Sequence, residues 1–442
     1  MSDADEPGSR SSRRLRGLLV DISPLRESPA FARLWIGTSV AQIGAQVTIV
    51  AVGLHVYALT HSTLAVSMVA VWALGPMILA GLFGGALADR YDRRLVALVT
   101  AIIAWICIGA LTTIAFLDVE TLWLYYALAA GNAAAATIMG AARGAILPKL
   151  LPNHLLPAAA ALGGITMGLA VTVGPAVAGI TVAAWGYPWT YLLDAVLFTA
   201  AFVGIFGLPQ LRPDVAVTGF GLSSVADSLR FLRRAPNIRA TFVFDLVAMI
   251  FGTPRVVYPA AGAVLLGGGS VTVGALTASF AVGALLSGLL SGPLGQVRRQ
   301  GRAVTLAILA FGASTALFGV VLLVTAITHG TEPGRGPIVP AIVLGGIALA
   351  GAGASDNVSA VFRTTILQAA APDEVRGRMQ GLFSVVVAGG PRVGDLVAGL
   401  IATALALWAP ALVGGLVIMA IMLAFLRVYR GFQQYDAVHP TP

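Results

Sequence analysis

Charge is what this chain has least of. Only 10% of its 442 residues are Asp, Glu, Lys or Arg, against about 25% in an ordinary soluble domain. A water-soluble fold of this size cannot cover its surface with so few charges. Soluble enzymes, disordered tails and nucleic-acid modules are thereby excluded. Cysteine is almost missing: Cys107, inside an apolar run, is the one thiol. A disulfide framework and a thiolate metal cluster both need more. Lys149 is the single lysine beside 26 arginines. The first 30 residues hold no short apolar core followed by a small-residue cleavage site, so no cleavable signal is read there. No Gly-x4-Gly-Lys phosphate loop, no nucleophile beside a base and no cluster of metal ligands is visible. The chain is therefore expected not to be an enzyme or an ATP-driven pump, and to need no cofactor or metal.

What is present is apolar. Hydrophobic residues make up 58%, and 52 glycines come on top. A spanning helix needs roughly 20 apolar residues. Runs of that length cover 33–57, 64–88, 95–117, 122–147, 158–183 and 189–208, then 241–265, 271–295, 303–327, 338–362, 382–406 and 409–427. The expected fold is an all-α membrane protein with 12 transmembrane helices in two six-helix bundles. Its parts are a tail (1–32), a first bundle (33–208), a linker (209–239), a second bundle (240–428) and a tail (429–442).

Orientation follows from the arginines. Of the 27 basic residues, 24 fall in or beside both tails, the linker and one alternating set of loops. Arg335 alone falls in the other set, and Arg255 and Arg392 lie inside runs. Such a bias places both termini and the linker in the cytoplasm. The net charge of +8 then faces anionic lipid headgroups, not nucleic acid. Segments 15–33 and 223–234 read as amphipathic surface helices or as solvated connectors.

The two halves repeat. Arg143 to Pro152 lies without gaps on Arg363 to Pro372, an offset of 220. The same offset carries Leu162 to Leu382, Gly174 to Gly394 and Gly179 to Gly399. The run 85–94 has a weaker echo in 292–302. A duplicated six-helix unit is a transporter feature, with the substrate site between the halves.

Between the second and third runs stands Gly85-x-Leu87-Ala88-Asp89-Arg90-x-Asp92-Arg93-Arg94. It resembles the signature loop of the major facilitator superfamily, with Asp92 where many members have glycine. Gly168-x5-Gly174-Pro175-x3-Gly179 is similar to the motif of that superfamily's drug/proton antiporters. Three further pieces are 59–63, Arg255-Val-Val-Tyr258-Pro259 and 372–381. Together they resemble the enterobactin (siderophore) exporter branch and its drug-efflux relatives. The resemblance covers roughly 31 to 428. It implies a two-bundle fold in the inner cell membrane, proton-driven export and alternating access.

Candidate residues follow. Asp89, with Arg90, Arg93 and Arg94, is expected to form a cytoplasmic latch, with Arg143 as a plausible partner; the arginines otherwise only anchor topology. Gly174, Pro175 and Gly179 should build a tight contact between the halves. Ionisable groups inside spans are functional candidates by default. Arg255 offers a planar fork of donors suited to a catecholate, carboxylate or sulfonate, with Tyr258 adding a ring one turn on. Alternatively Arg255 pairs with Asp395 to hold spans together. Asp395 is the first candidate for proton coupling, with Arg392 three residues before it. Asp245 and Asp356 are alternatives, read as solvated carboxylates near the cytoplasmic ends of their spans. Asp194 and His55 read as interfacial, and Trp35, Trp123, Trp185 and Trp189 as interface anchors. The expected activity is secondary export of an amphipathic organic molecule, a siderophore-like anion favoured, by proton antiport. A multidrug efflux antiporter is the alternative, and a non-transporting membrane scaffold is the alternative of another class. The expected partners are the small-molecule substrate, protons and membrane lipids, and the chain is expected to act as a monomer.

Overall fold

The computed structural model describes residues 21–209, 230–252 and 254–441, except 293, 295, 296, 333, 335 and 440. Eleven long helices carry the fold. They are α1 (Pro29–Thr60), α2 (Thr63–Arg90), α3 (Arg93–Phe116), α4 (Leu122–Leu150), α5 (Leu156–Phe206), α6 (Pro236–Gly252), α7 (Gly269–Leu289), α8 (Gln300–His329), α9 (Val339–Ala370), α10 (Asp373–Ala404) and α11 (Ala409–Val428). Among the described residues, ten helices are long and apolar enough to cross a membrane. The chain is a multi-pass membrane protein.

Local chemistry sets the helix starts. Ser28 accepts a hydrogen bond from the Phe31 amide, with Pro29 at the first turn of α1. Ser62 accepts from Ala65 at the start of α2, and Asp92 from Arg94 at the start of α3. Short polar side chains there satisfy amides the helix itself leaves free. His61 takes a left-handed conformation (φ 51°) and turns α1 back into α2.

The 51 residues of α5 would run about 75 Å if straight, more than twice a bilayer core. They do not run straight. A methyl group at Gly174 would strike Gln46 on α1, and one at Gly44 would strike Asp194. Positions 174 and 194 therefore both face residues 44–46, although a straight helix would set them about 30 Å apart. The chain folds back at Gly186, whose φ of 79° lies where glycine alone is at ease. The two runs expected at 158–183 and 189–208 are thus the two arms of α5.

The glycine repeat has a geometric counterpart. Gly174 lets α5 approach Ile43 and Gln46 on α1. Its counterpart Gly394 lets α10 approach Met249 and Ile250 on α6. A methyl at Gly179 would sit 2.5 Å from the Ser270 carbonyl, and one at Gly399 would sit 2.5 Å from the Ser67 hydroxyl. So 174 and 394 close contacts inside their own halves, and 179 and 399 close contacts across them. The expected contact between halves is corrected to that extent: Gly174 serves its own half. Ser270 also donates to the Gly179 carbonyl across the joint at 2.9 Å.

The two ends of the bundle differ. One apolar cluster draws on both halves, including Val56 and Tyr57 from the first and Val257, Leu265 and Ala402 from the second. All lie at the end away from the termini, the far end. Toward the terminus end the buried clusters keep to one half each: two within 31–208 and one within 235–435. The molecule is closed at its far end.

Three expectations on loops change. Arg143 lies within α4 and Arg363 within α9, not in loops. Of the expected surface helix 223–234, residues 230–234 are helical and the rest lies outside the described residues, as does Arg335. Before α1, the expected 15–33 surface helix reduces among the described residues to one turn, Ser23–Glu27.

Candidate functional site

The seventh run is not one helix. α6 stops at Gly252, and Pro254 follows in a non-helical conformation. A 3-10 turn (Arg255–Val257), a short α turn (Tyr258–Ala260) and a π turn (Ala261–Leu265) complete it. Pro254 cannot donate to a helical ladder. Broken backbone at membrane depth is tolerated where it is buried in protein or lines a cavity.

Arg255 sits on this break and is exposed. Its guanidinium carbon lies 5.6 Å from the centre of the Phe280 ring on α7, a cation–π distance. Asp395 and Arg392 share α10, and Arg255 is their neighbour. Among the described residues, no carboxylate comes within ion-pair distance of Arg255. The Arg392 Nε is buried without a partner. The three charges therefore share one region without being consumed as one salt bridge.

Tyr258 stands near Arg255 and Asp395 but is shut away from solvent. Its side chain is only 3% exposed, and its ring packs edge-on against Phe318 at 5.8 Å. The expected stacking face is taken by the second half's own core. Phe280 is the ring that Arg255 meets, and its place in the sequence carries no mark beyond being aromatic.

Asp245 is corrected too. It is 1% exposed, not solvated, and its carboxylate lies 2.7 Å from an Nη atom of Arg363. The same nitrogen is 3.5 Å from Asp356, which is 38% exposed. Arg363 is itself buried. A buried charge is costly unless paired, so this pair locks α6 to α9. Asp194 is not interfacial either: it is fully buried, with Thr48 beside its carboxylate. His55 is stacked parallel on Tyr187 at 4.1 Å. Trp123, Trp185 and Trp189 are exposed, as anchors would be, whereas Trp35 lines a cavity.

In the signature loop, the surroundings of Gly85 and the side chain of Asp89 lie outside the described residues. Arg90 lies over the Tyr91 ring at 5.7 Å. Arg93 donates to the Ala145 carbonyl on α4 at 3.0 Å, and Arg94 to the Phe206 carbonyl at the end of α5 at 2.9 Å. At the end of α5 a cationic donor satisfies a free carbonyl and complements the helix dipole. Arg143 meets Gln42 on α1. With the amide oxygen turned to the guanidinium, Gln42 accepts from both Nη atoms at 3.0 and 3.1 Å.

Comparison with known proteins agrees with this architecture. Residues 20–439 match the model of a family described as transmembrane secretion effectors. The enterobactin exporter of Shigella boydii is 27% identical over 419 residues, which span 94% of this chain and 96% of that protein. Among solved structures, a POT family transporter in complex with 5-aminolevulinic acid superposes with a TM-score of 0.71 at 12% identity, covering 92% of this chain and 97% of that one. The nucleoside transporter NupG superposes with a TM-score of 0.68 at 14% identity, covering 91% and 99%.

Proposed function

From the premise that this chain belongs to the transmembrane secretion effector family, within the major facilitator superfamily, we propose that it exports an amphipathic organic anion by proton antiport. The family makes it a membrane transporter. The substrate class rests on Arg255: an exposed guanidinium on a broken helix, over an aromatic ring, with no carboxylate paired to it among the described residues. A cation-drug pump has no use for such a group facing its cavity. A siderophore-like catecholate or carboxylate does, because the planar fork matches two oxygens at once.

The topology proposed has twelve spans. The two arms of α5 count separately, and α10 crosses despite Arg392 and Asp395 because those charges face protein. Both termini are then cytoplasmic, and closure at the far end corresponds to a carrier open to the cytoplasm and ready to load. Alternating access needs the far-end joint to open and the terminus end to close. Asp89 is the proposed latch for that second state, with Arg143 as its proposed partner. Asp395 is the proposed proton carrier, since it shares its surroundings with the substrate-facing arginine. Substrate and proton then compete for one field, which is the coupling antiport requires.

The test uses an iron-starved host with the chain deleted, restored, or restored as Arg255→Ala. Small molecules in cells and medium are measured by mass spectrometry. Retention of a siderophore on deletion, not relieved by Arg255→Ala, is the expected result. Unchanged secretion in the deletion strain removes the siderophore reading and leaves accumulation of lipophilic drugs as the assay to run.

A further inference from the structure

The strongest unused feature is a cavity of about 310 Å³ in the first half. It lies between the start of α1, the end of α4 and the start of α5, and no residue of the second half lines it. Its polar lining is Trp35, Thr38, Ser39, Gln42, Arg143 and Thr166.

The hydrogen bonding of this lining is one-sided. Thr38 donates to the Leu34 carbonyl, and Ser39 to the Trp35 carbonyl. Ser39 and Thr166 also share a bond of 2.9 Å. These hydroxyls are satisfied. The Trp35 indole N–H is buried with no partner. Arg143 carries five N–H donors and no acceptor, and Gln42 supplies one neutral oxygen for them. What is left over in the cavity is donors and a positive charge. Among the described residues, no carboxylate lies within ion-pair distance of Arg143.

The second half differs in its counter-charge, although Arg363 also keeps Nε and one Nη buried without hydrogen-bond partners. Arg363 is the repeat counterpart of Arg143, and it meets Asp245 on α6 as Arg143 meets Gln42 on α1. There the counter-charge is built in. Among the described residues of the first half a neutral amide stands in its place, with a cavity beside it.

We infer that this cavity is a binding site for an oxyanion, a carboxylate or phosphate group, which supplies the counter-charge that Asp245 supplies in the other half. Arg143 holds the anion through its guanidinium, and the Trp35 indole donates to it. The volume suits a single headgroup or a one-ring acid and sits at the low end of ligand pockets. Two sources share this chemistry. A lipid phosphate reaches it from the membrane, as basic pockets between spans do elsewhere. A soluble anion reaches it from water. The site is separate from Arg255 and does not depend on what the protein exports.

The decisive variant is Gln42→Glu, which installs the missing carboxylate. The full-length protein in nanodiscs of zwitterionic lipid is titrated with inorganic phosphate and with benzoate, reading the unfolding midpoint and Kd. In parallel, native mass spectrometry measures anionic phospholipid retained from the host membrane. Wild type is expected to bind one of the probes or to retain anionic lipid. Gln42→Glu and Arg143→Gln are each expected to weaken that binding by at least about tenfold, with Gln42→Glu fully folded. Loss of the titrated probe marks a soluble ligand, and loss of retained lipid alone marks a headgroup. Equal binding and equal lipid retention in wild type and Gln42→Glu overturns the inference. So does a wild type that neither binds a probe nor retains lipid.

Discussion

Place the two halves side by side at the arginine that each carries on its fourth run. Arg363 is buried against Asp245, with Asp356 at 3.5 Å. Arg143 leans on an amide, beside an open cavity. At the glycines the halves agree: 174 and 394 close contacts within a half, 179 and 399 across the joint. Duplication has thus kept the packing and let the charges diverge. Backbone joints tolerate little change, because a single methyl overfills them. A charge is free to move as long as something answers it, and in one half the answer is a neighbour of opposite sign.

The largest effect should come from unanswering it. Arg363→Ala leaves Asp245 buried and unpaired, a loss of about 3–5 kcal/mol. The folded, monodisperse fraction after detergent extraction should fall sharply. The double change Asp245→Asn, Arg363→Gln should recover much of it. Arg143→Gln, at the matching place, should cost far less stability; an equal cost would break the comparison.

The glycine joints separate next. Gly179→Ala and Gly399→Ala overfill the contact between halves, for about 1–3 kcal/mol each. Because that contact joins the halves in this far-end-closed structure, spin labels placed across the far end should report a longer mean distance. Gly174→Ala and Gly394→Ala overfill contacts inside a half. They should lower the unfolding midpoint without lengthening that distance.

The smallest effect lies in the C-terminal tail. Asp436 is tied to Arg298 at 2.9 Å in an exposed pair. Hydrogen bonding from Arg298 holds its carboxyl below the ordinary value of 3.8. A lowered folded value means the contact helps above the ordinary carboxylate range and is lost as pH falls through the lowered one. Exposed pairs of this kind contribute little, so Asp436→Asn should leave the midpoint at pH 7 unchanged.

Much of this frame was legible in the sequence. Apolar runs marked the helices, and an offset of 220 foretold which glycines would play matching parts. Arg255 and Asp395 stood out because charge inside a span is rare. The misses have physical causes. Arg363 looked like a loop residue, since a lone arginine near a span end counts as a topology signal; only its distant partner Asp245 makes it a core residue. Gln42 gave no signal at all, because a neutral amide is unremarkable until it occupies the place of an acid. Asp194 and His55 were placed by depth along their helices, and depth says nothing about which face of the helix is covered. Tyr258 shared a turn with Arg255, but the irregular backbone after Pro254 turned its ring into the core.

Closure at one end only has a consequence for the lipid. Halves that meet at the far end and keep separate cores at the other displace unequal areas in the two leaflets. Switching between states then does work against the lateral pressure of the bilayer, leaflet by leaflet. Lipids that crowd their tails and those that crowd their headgroups should pull the equilibrium in opposite directions. The composition of the membrane thereby acts on the carrier without binding to it.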